Sequence, residues 1–207
     1  MPSIRHSVTV LRWRSLTHKV DIGPSGVTHH MMDVRHHHLK TELQMMKVED
    51  DYLQNDDLLL ILDTLSGETF PWFYQVFPER KSDKDILLGH EFYNHGPVPY
   101  CEGEGMKLLE PLLNKIQPTA LIRIKANSYP NTDTIHEHKM HTDMNYGYTS
   151  IFYLNTNDGY TKFDDGTVIE SVQNRLLTFP NRTTPPHCSS SCTDARVRYN
   201  ININYYA

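Results

Sequence analysis

Cysteine is scarce in this sequence. Its 207 residues contain three cysteines, Cys101, Cys188 and Cys192. Three thiols cannot form a complete disulfide framework of the kind that stabilises small secreted domains. The chain is also long enough to bury a hydrophobic core without such cross-links. We therefore expect reduced thiols and a cytoplasmic protein.

Long apolar segments are lacking as well. The longest run, residues 58–62, ends at Asp63 and is far shorter than the roughly 18 residues of a membrane span. Near the start, Arg12 and Arg14 interrupt the only candidate for a secretory signal. The sequence therefore predicts neither a membrane protein nor a secreted one. With 38% hydrophobic and 22% charged residues, the composition is that of a globular protein.

Charge and histidine are unevenly distributed along the chain. Residues 1–44 carry six Lys and Arg against three acids, a net charge of +3, and seven of the 13 histidines. The remaining residues, 45–207, carry a net charge of −8. A domain this acidic disfavours a nucleic-acid substrate, because phosphates are bound by clustered basic residues. The change in charge predicts a domain boundary near residue 45.

The first 44 residues lack a sustained hydrophobic period. Val8-Thr9-Val10-Leu11 is typical of a short strand, but no evident partner follows it. Histidines at positions 29–30 and 36–38 invite a metal site, yet consecutive side chains point in different directions and rarely converge on one ion. We interpret residues 1–44 as a poorly ordered basic, His-rich extension. The alternative is that the natural start is Met45 or Met46 and that the extension is translated in error.

Two helices are predicted in the first half of the acidic domain, after an opening strand at residues 47–53. The first helix has Asn55 as its N-cap, acids in its first turn and an end at Ser66-Gly67. The second covers residues 104–116, where Pro111 either kinks the helix or lies in the first turn of a shorter one.

From residue 118 onward the hydrophobic period is 2, which is typical of β-strands. Turns rich in Asn, Asp and Gly separate short strands predicted at residues 148–155, 160–163, 167–171 and 175–179. The last strand alternates apolar residues with a polar row: Arg196, Arg198, Asn200, Asn202 and Asn204. A polar row suits the inner face of a barrel that holds a polar ligand. The pattern predicts a mainly β fold with supporting helices, a double-stranded β-helix of the cupin-like jelly-roll kind.

Metal-ligating residue types occur in His141-Thr142-Asp143 and again at His187. Residues i and i+2 of a strand share a face, and several short strands fit between Asp143 and His187. Two histidines and one carboxylate form the facial triad of non-haem Fe(II) oxygenases, which leaves coordination positions open. The tripeptide alone is weak evidence, because a chain with 13 histidines contains about one His-x-Asp by chance.

The order of several segments within residues 46–207 resembles the prolyl 4-hydroxylase-like branch of the Fe(II)/2-oxoglutarate-dependent dioxygenases. The segments are Asn127-Ser128-Tyr129-Pro130, His141-Thr142-Asp143, Tyr153-Leu154-Asn155, Asp165-Gly166 and the stretch from His187 to the end. The chain is also similar to small phage and marine bacterial members that contain a Phe-Pro-Trp segment, here Phe70-Pro71-Trp72. For a phage protein, the expected compartment is the host cytoplasm.

The resemblance implies a ligand set and its cofactors. His141, Asp143 and His187 match the iron ligands. Fe(II) is the implied metal, 2-oxoglutarate the cosubstrate, O2 the oxidant and ascorbate (L-ascorbic acid) the reductant. His136 and His138 match no ligand, and we expect them in the segment over the mouth of the barrel.

The resemblance also implies residues that hold 2-oxoglutarate. An arginine early in the last strand pairs with the distal carboxylate of the cosubstrate. Arg198 opens the matching strand and is the preferred residue, while Arg196 lies at the more common offset from the distal histidine and stays as the alternative. Tyr153 matches a tyrosine that hydrogen-bonds the same carboxylate, and Tyr129 matches one that lines the pocket.

The implied activity is that of an oxidoreductase, a dioxygenase that hydroxylates a peptidyl proline, an amino acid or a small metabolite and releases succinate and CO2. Two other classes remain open on the residues alone. One is a catalytically silent β-barrel that binds a ligand or serves as an assembly module. The other is a different cupin-type metalloenzyme, such as a zinc hydrolase.

Overall fold

The computed structural model describes the backbone of residues 8–10 and the whole of residues 46–75 and 86–207. The predictions for the His-rich runs of the extension lie outside these residues. The three cysteines lie within them and form no disulfide, as expected for reduced thiols. No helix among the described residues has the length and apolar character needed to cross a membrane.

Three helices lie within the described residues: α1 (Asn55–Ser66), α2 (Gly103–Leu108) and α3 (Glu110–Ile116). The first ends at Gly67 as predicted. The predicted N-cap Asn55 is wrong by one residue: Gln54 is extended, and its carbonyl accepts the first helical bond from Leu58 at 3.1 Å. Pro111 lies in the first turn of α3, where its missing N–H leaves no bond unmade. Of the two predicted outcomes, the structure therefore has the shorter helix with Pro111 in its first turn.

The strands of the described residues pair antiparallel in two sheets. They are β1 (Val8–Val10), β2 (Lys47–Glu49), β3 (Phe73–Tyr74), β4 (Leu88–Asn94), β5 (Tyr100–Cys101), β6 (Ala120–Pro130), β7 (Tyr148–Tyr153), β8 (Tyr160–Phe163), β9 (Val168–Glu170), β10 (Arg175–Pro180), β11 (His187–Ser189) and β12 (Val197–Tyr206). The larger sheet has the order β1-β2-β10-β7-β12-β6-β4-β3, with β5 on β4, and the smaller has the order β11-β8-β9. The opening strand ends at Glu49, before its predicted end. The two sheets together form the predicted double-stranded β-helix.

Apolar side chains fill two separate cores. The first lies between the larger sheet and the helices, where α1 contributes Leu58, Ile61 and Leu65 at helical spacing. The second lies between the two sheets and contains residues from five strands or their flanks: Met46, Ile151, Tyr153, Phe163, Ile169, Leu177 and Phe179. The helices therefore cover the outer face of the larger sheet, and the inner face is left to line the barrel.

The polar row of the last strand is buried. Four of its five members expose 9% or less of their surface: Arg198, Asn200, Asn202 and Asn204. The fifth, Arg196, precedes β12 and is exposed. Ile201 and Ile203, on the opposite face, join the first core. The predicted polar inner face is thus present, and it forms a polar chamber beside the apolar second core.

Deleting residues 1–44 is expected to leave the domain folded. The strand β1 forms as predicted and pairs with β2, but over three residues at the end of the sheet. A change of 1 kcal/mol moves the Tm of a domain this size by roughly 2–4 °C. We expect calorimetry to show a Tm within about 5 °C of the full chain. A larger fall would show that the extension packs against the domain.

Candidate metal centre and adjoining anion pocket

Three metal-ligating side chains converge at one end of the barrel. The nearest ligand atoms of His141, Asp143 and His187 all lie within 4.8 Å of one another. Backbone pairing brings them together: the amide of His141 donates to the carbonyl of His187 and the amide of His187 to that of His141, each at 2.8 Å. Residue 143 follows two positions later, so the carboxylate completes a facial group of three.

The ring of His141 is oriented by the backbone carbonyl of Lys139, two residues earlier. Nδ1 lies 3.0 Å from the carbonyl oxygen of Lys139, which can only accept, so Nδ1 carries the proton. Nε2 is therefore the nitrogen available to a metal, and it lies 3.4 Å from Oδ1 of Asp143. Without a metal, the hydrogen bond to Asp143 raises the pKa of His141. The bond from Nδ1 to the carbonyl of Lys139 is the usual kind of support for a metal-binding histidine, because it comes from the nitrogen that does not ligate.

The Asp143 side chain is 4% exposed, and its Oδ2 atom is held by hydrogen bonds. The amides of Asn202 and Asn204 donate to it at 2.9 and 3.2 Å, and the hydroxyl of Thr149 lies at 3.3 Å. Burial pushes the pKa of Asp143 upward, but the bond from His141, the nearby His187 and the amide of Asn202 outweigh it and hold the pKa well below its ordinary value. The carboxylate is thus charged, with Oδ1 turned to the histidines.

His187 lies on the enclosed side of the group. It is 3% exposed and packs against the rings of Phe163 and Phe179, with centroids at 5.6 and 5.2 Å. This burial lowers the pKa of His187 to about 4, so the imidazole is neutral at pH 7. His141 is half exposed. The group therefore has one closed side and one side open to ligands.

The donor set suits Fe(II). Two imidazole nitrogens and one carboxylate match the facial arrangement that non-haem iron prefers. Within residues 46–75 and 86–207 no other cluster of three such ligands is found. His136 and His138 lie beside the small sheet, where their backbones pair with Ser191 and Ser189. The structure thus brings together the three residues predicted as ligands and leaves out the two histidines that precede them.

Arg198 is a buried arginine that has no carboxylate partner within the part of the chain that the structure describes. Arg198 is 0% exposed, yet its contacts are long: Nη1 to the carbonyl of Ser190 at 3.3 Å and Nη2 to the hydroxyl of Thr161 at 3.4 Å. Its Nε has no hydrogen-bond partner among the described residues. Its guanidinium lies 5.0 Å from the ring centroid of Tyr129 and 5.6 Å from that of Tyr153.

Burying a cation with so few good hydrogen bonds costs folding free energy unless an anion binds beside it. A second unsatisfied donor, Nδ2 of Asn200, lies two residues along the same face of β12. Burial raises the pKa of Tyr153, so its phenol stays protonated, and in this structure it donates to Thr161 at 2.8 Å. The chamber thus presents unused donors to a polar, anionic ligand. Arg196, by contrast, is exposed.

Several site residues were not named by sequence reasoning. Asn202, Asn204 and Thr149 hold the metal-ligating carboxylate, and Thr161 bridges Tyr153 and Arg198. The asparagines did carry a signal in the polar row of the last strand, whereas Thr149 and Thr161 look like ordinary strand residues. His90 lies outside this group and bridges the carbonyl of Pro71 and the carboxylate of Glu102.

Solved structures share this architecture. A prolyl hydroxylase from Trichoplax adhaerens, in complex with a peptide fragment of the hypoxia-inducible factor oxygen degradation domain, matches 86% of this chain and 94% of its own at 13% identity, with a TM-score of 0.58. A Pseudomonas putida prolyl-4-hydroxylase matches 78% of this chain and 92% of its own, at 12% identity and with a TM-score of 0.50. This chain has the fold of the prolyl hydroxylases. No protein-family model and no curated protein sequence matches it.

Replacing a ligand should remove metal binding and spare the fold. For Asp143→Ala and His187→Ala we expect Mn(II) affinity to fall by more than about 100-fold, since changes behind the ligands alone cost 10- to 100-fold. Isothermal calorimetry with Mn(II) measures the affinity, and circular dichroism checks the fold. His136→Ala and His138→Ala are the matched controls. Loss of Mn(II) binding in His138→Ala equal to that in His187→Ala would show that the ligand set is wrong.

Proposed function

We propose that the protein is an Fe(II)- and 2-oxoglutarate-dependent dioxygenase that hydroxylates a peptidyl proline, an amino acid or a small metabolite. The observation that carries this proposal is the pairing of two sites in one barrel. A facial His-Asp-His group lies at one end, and a fully buried, uncompensated arginine lies further in. The triad alone fits several metals, and the arginine adds a reason for a carboxylate-bearing cosubstrate.

His141, Asp143 and His187 would hold the iron. When bound, Fe(II) supplies the redox chemistry that couples oxidative decarboxylation of 2-oxoglutarate to insertion of oxygen into a C–H bond. The protein's own part is to keep the ligands in the correct form: Lys139 fixes the tautomer of His141, and the amide of Asn202 keeps Asp143 ionised and oriented. The enclosing rings around His187 keep water from that side.

Arg198 would bind the distal carboxylate of 2-oxoglutarate. Its planar fork can give two parallel hydrogen bonds to a carboxylate, and both edges of the guanidinium are poorly satisfied in the chain itself. Arg198 and Asn202 lie on one face of β12, four residues or about 13 Å apart along the strand. A dicarboxylate anchored at Arg198 therefore extends towards the end of the barrel at which Asn202 supports Asp143. Tyr129 and Tyr153 would form the walls.

Turnover of the cosubstrate tests the activity itself. We expect the protein with Fe(II), 2-oxoglutarate, O2 and ascorbate to release succinate, and release to rise with the correct member of a panel of prolyl peptides, free amino acids and small metabolites. A silent ligand-binding barrel would release none. A cupin-type enzyme that needs no cosubstrate would turn over panel members without 2-oxoglutarate. Omitting ascorbate shows whether it serves as the reductant.

Arg198→Ala should act on the cosubstrate and not on the metal. Charge-assisted hydrogen bonds to a buried carboxylate are worth roughly 1.5–3 kcal/mol, so the KM for 2-oxoglutarate should rise about 10- to 100-fold. Mn(II) affinity should be near that of the parent. Arg198→Lys should restore only part of the affinity for 2-oxoglutarate, because lysine keeps the charge but lacks the planar pair of donors. Tyr153→Phe should give a smaller rise.

Arg196→Ala is the matched control, because this exposed arginine lies two residues before Arg198. We expect an unchanged KM for 2-oxoglutarate. If Arg196→Ala raises the KM and Arg198→Ala does not, the anchor is Arg196. If neither variant changes it, the proposed cosubstrate is wrong.

A further inference from the structure

No step of the proposed function uses two basic side chains on the inner face of β6. In the register of β6 and β12, Arg123 lies opposite Asn204. Lys125, the next residue on that face, lies opposite Asn202. Both asparagines donate to Oδ2 of Asp143. Directly opposed side chains of antiparallel strands have Cβ atoms about 4.5–5.5 Å apart, so both basic side chains begin beside the amides that hold the metal ligand.

Arg123 contacts the metal ligand directly. Its Nη2 lies 3.7 Å from Oδ1 of Asp143, the oxygen that also faces Nε2 of His141. Its Nε donates to Oδ1 of Asn204 at 3.2 Å. The side chain of Arg123 is 31% exposed, whereas that of Asp143 is 4% exposed. The guanidinium therefore contacts the buried carboxylate and is accessible to a molecule that enters from solvent.

Lys125 is held in a different way. Its Nζ donates to Oε1 of Gln75 at 3.0 Å, and the register of β4 and β6 places Glu91 opposite it. Gly89 gives it room, because a Cβ there would lie 2.5 Å from Cε of Lys125 and 3.0 Å from the amide group of Gln75. The ammonium is thus occupied by neighbours from β4 and from the end of β3, and it is Arg123 that contacts the metal group.

Arg123 shares its one carboxylate partner with the metal. Within the part of the chain that the structure describes, Asp143 is the carboxylate at ion-pair distance from its guanidinium. On the other flank, β4 places the neutral Asn94 opposite Arg123. A metal ion at Oδ1 of Asp143 would compete with the guanidinium for that oxygen, because both are cations. A bound metal therefore leaves the guanidinium in need of another anion.

The proposed ligands do not supply that anion. The two positive charges of Fe(II) and the one of Arg198 are balanced by Asp143 and by the two carboxylates of 2-oxoglutarate. The charge of Arg123 is additional to these. A guanidinium binds a carboxylate through two parallel hydrogen bonds, and such charge-assisted bonds are among the strong ones. The loaded site therefore favours one further carboxylate, which a substrate can bring.

We propose that Arg123 binds a carboxylate of the substrate beside the metal, so that the substrate is a carboxylic acid. This inference rests on the proposed function, because it assigns the substrate class of the same metal centre. Nε of Arg123 stays bonded to Asn204, and Nη1 and Nη2 are the donors for the substrate. Because Asn204 also donates to Asp143, one asparagine positions both the metal ligand and the arginine.

Binding to the Mn(II) protein tests the assignment without turnover. The protein is saturated with Mn(II) and with 2-oxoglutarate, which occupies Arg198, and is titrated with propionate or with its neutral amide, propionamide. Mn(II) speeds the relaxation of protons that bind near it, so NMR relaxation of the methyl group reports binding at the metal centre. We expect propionate to bind about tenfold more tightly than propionamide, because the amide cannot form the charge-assisted pair.

Arg123→Gln should abolish the difference between propionate and propionamide. Arg123→Lys should keep part of it, because lysine retains the charge and lacks the planar pair of donors. The Mn(II) affinity of each variant is measured first, and each variant is loaded to saturation, so that weaker metal binding does not imitate the loss of the probe. Lys107→Gln removes an exposed cation from α2, is the matched control and should bind both probes as the parent does.

An acid–amide difference that Arg123→Gln leaves unchanged overturns the assignment, because the probe then binds the metal and Arg123 only supports Asp143. Equal relaxation of the two probes overturns it too. So does displacement of propionate by 2-oxoglutarate, which would assign Arg123 to the cosubstrate. If the Mn(II) protein does not bind 2-oxoglutarate while propionate binding still depends on Arg123, the carboxylate site stands and the proposed dioxygenase function fails.

Succinate release then distinguishes the two sources of the carboxylate, a free acid and the end of a peptide. Release that rises with a small acid and not with its amide supports the proposal with a free acid as substrate. Release that rises with a peptide acid and not with the same peptide as its C-terminal amide supports it with a peptide end. Equal release with acids and amides overturns it.

Discussion

The hydrogen bonds that hold Asp143 are the interaction on which the site depends. A buried carboxylate without partners would take up a proton, and a protonated acid is a poor ligand for a divalent metal. Here the amides of Asn202 and Asn204 give it two donors from one strand. The Thr149 hydroxyl adds a contact from the next strand. The carboxylate is therefore fixed to the two central strands of the larger sheet, and its charge is maintained by the fold.

This arrangement explains why β12 is polar on the face that points into the barrel. A strand that is buried on both faces is ordinarily apolar on both. On β12 the outer face follows that rule, since Ile201 and Ile203 pack against the first core. The inner face instead carries the buried Arg198 at one end and, at the other, Asn202 and Asn204, which donate to Asp143. Asn202 and Asn204 share one partner, Asp143, whereas Nδ2 of Asn200 has none among the described residues.

The unsatisfied state of Arg198 has a structural meaning of its own. Native proteins rarely bury a cation with only long contacts to a carbonyl and a hydroxyl, because the desolvation cost is several kcal/mol. The surrounding tyrosines reduce that cost through their π faces, but they do not supply a charge. The chain thus gives up stability at this position, and a bound dicarboxylate would restore it. That cost is the physical argument for a ligand in the chamber.

The sequence by itself determined the elements that depend on local patterns. The period-2 alternation of β12, the end of α1 at Gly67 and the place of Pro111 follow from backbone chemistry within a few residues. His141-Thr142-Asp143 could be found because two ligands lie on one short segment. The N-cap of α1 was misplaced by one residue, because Asn55 is of a type favoured at the cap, whereas Gln54, which occupies the cap, is not.

Only the tertiary structure decided the long-range contacts. Backbone pairing brings His187 beside His141 across 46 positions, and Arg198 is buried while Arg196 is exposed because β12 begins between them. Such contacts are set by sheet register and by which loops close together, and these are properties of the whole fold. The spacing of residues along the sequence does not predict such contacts.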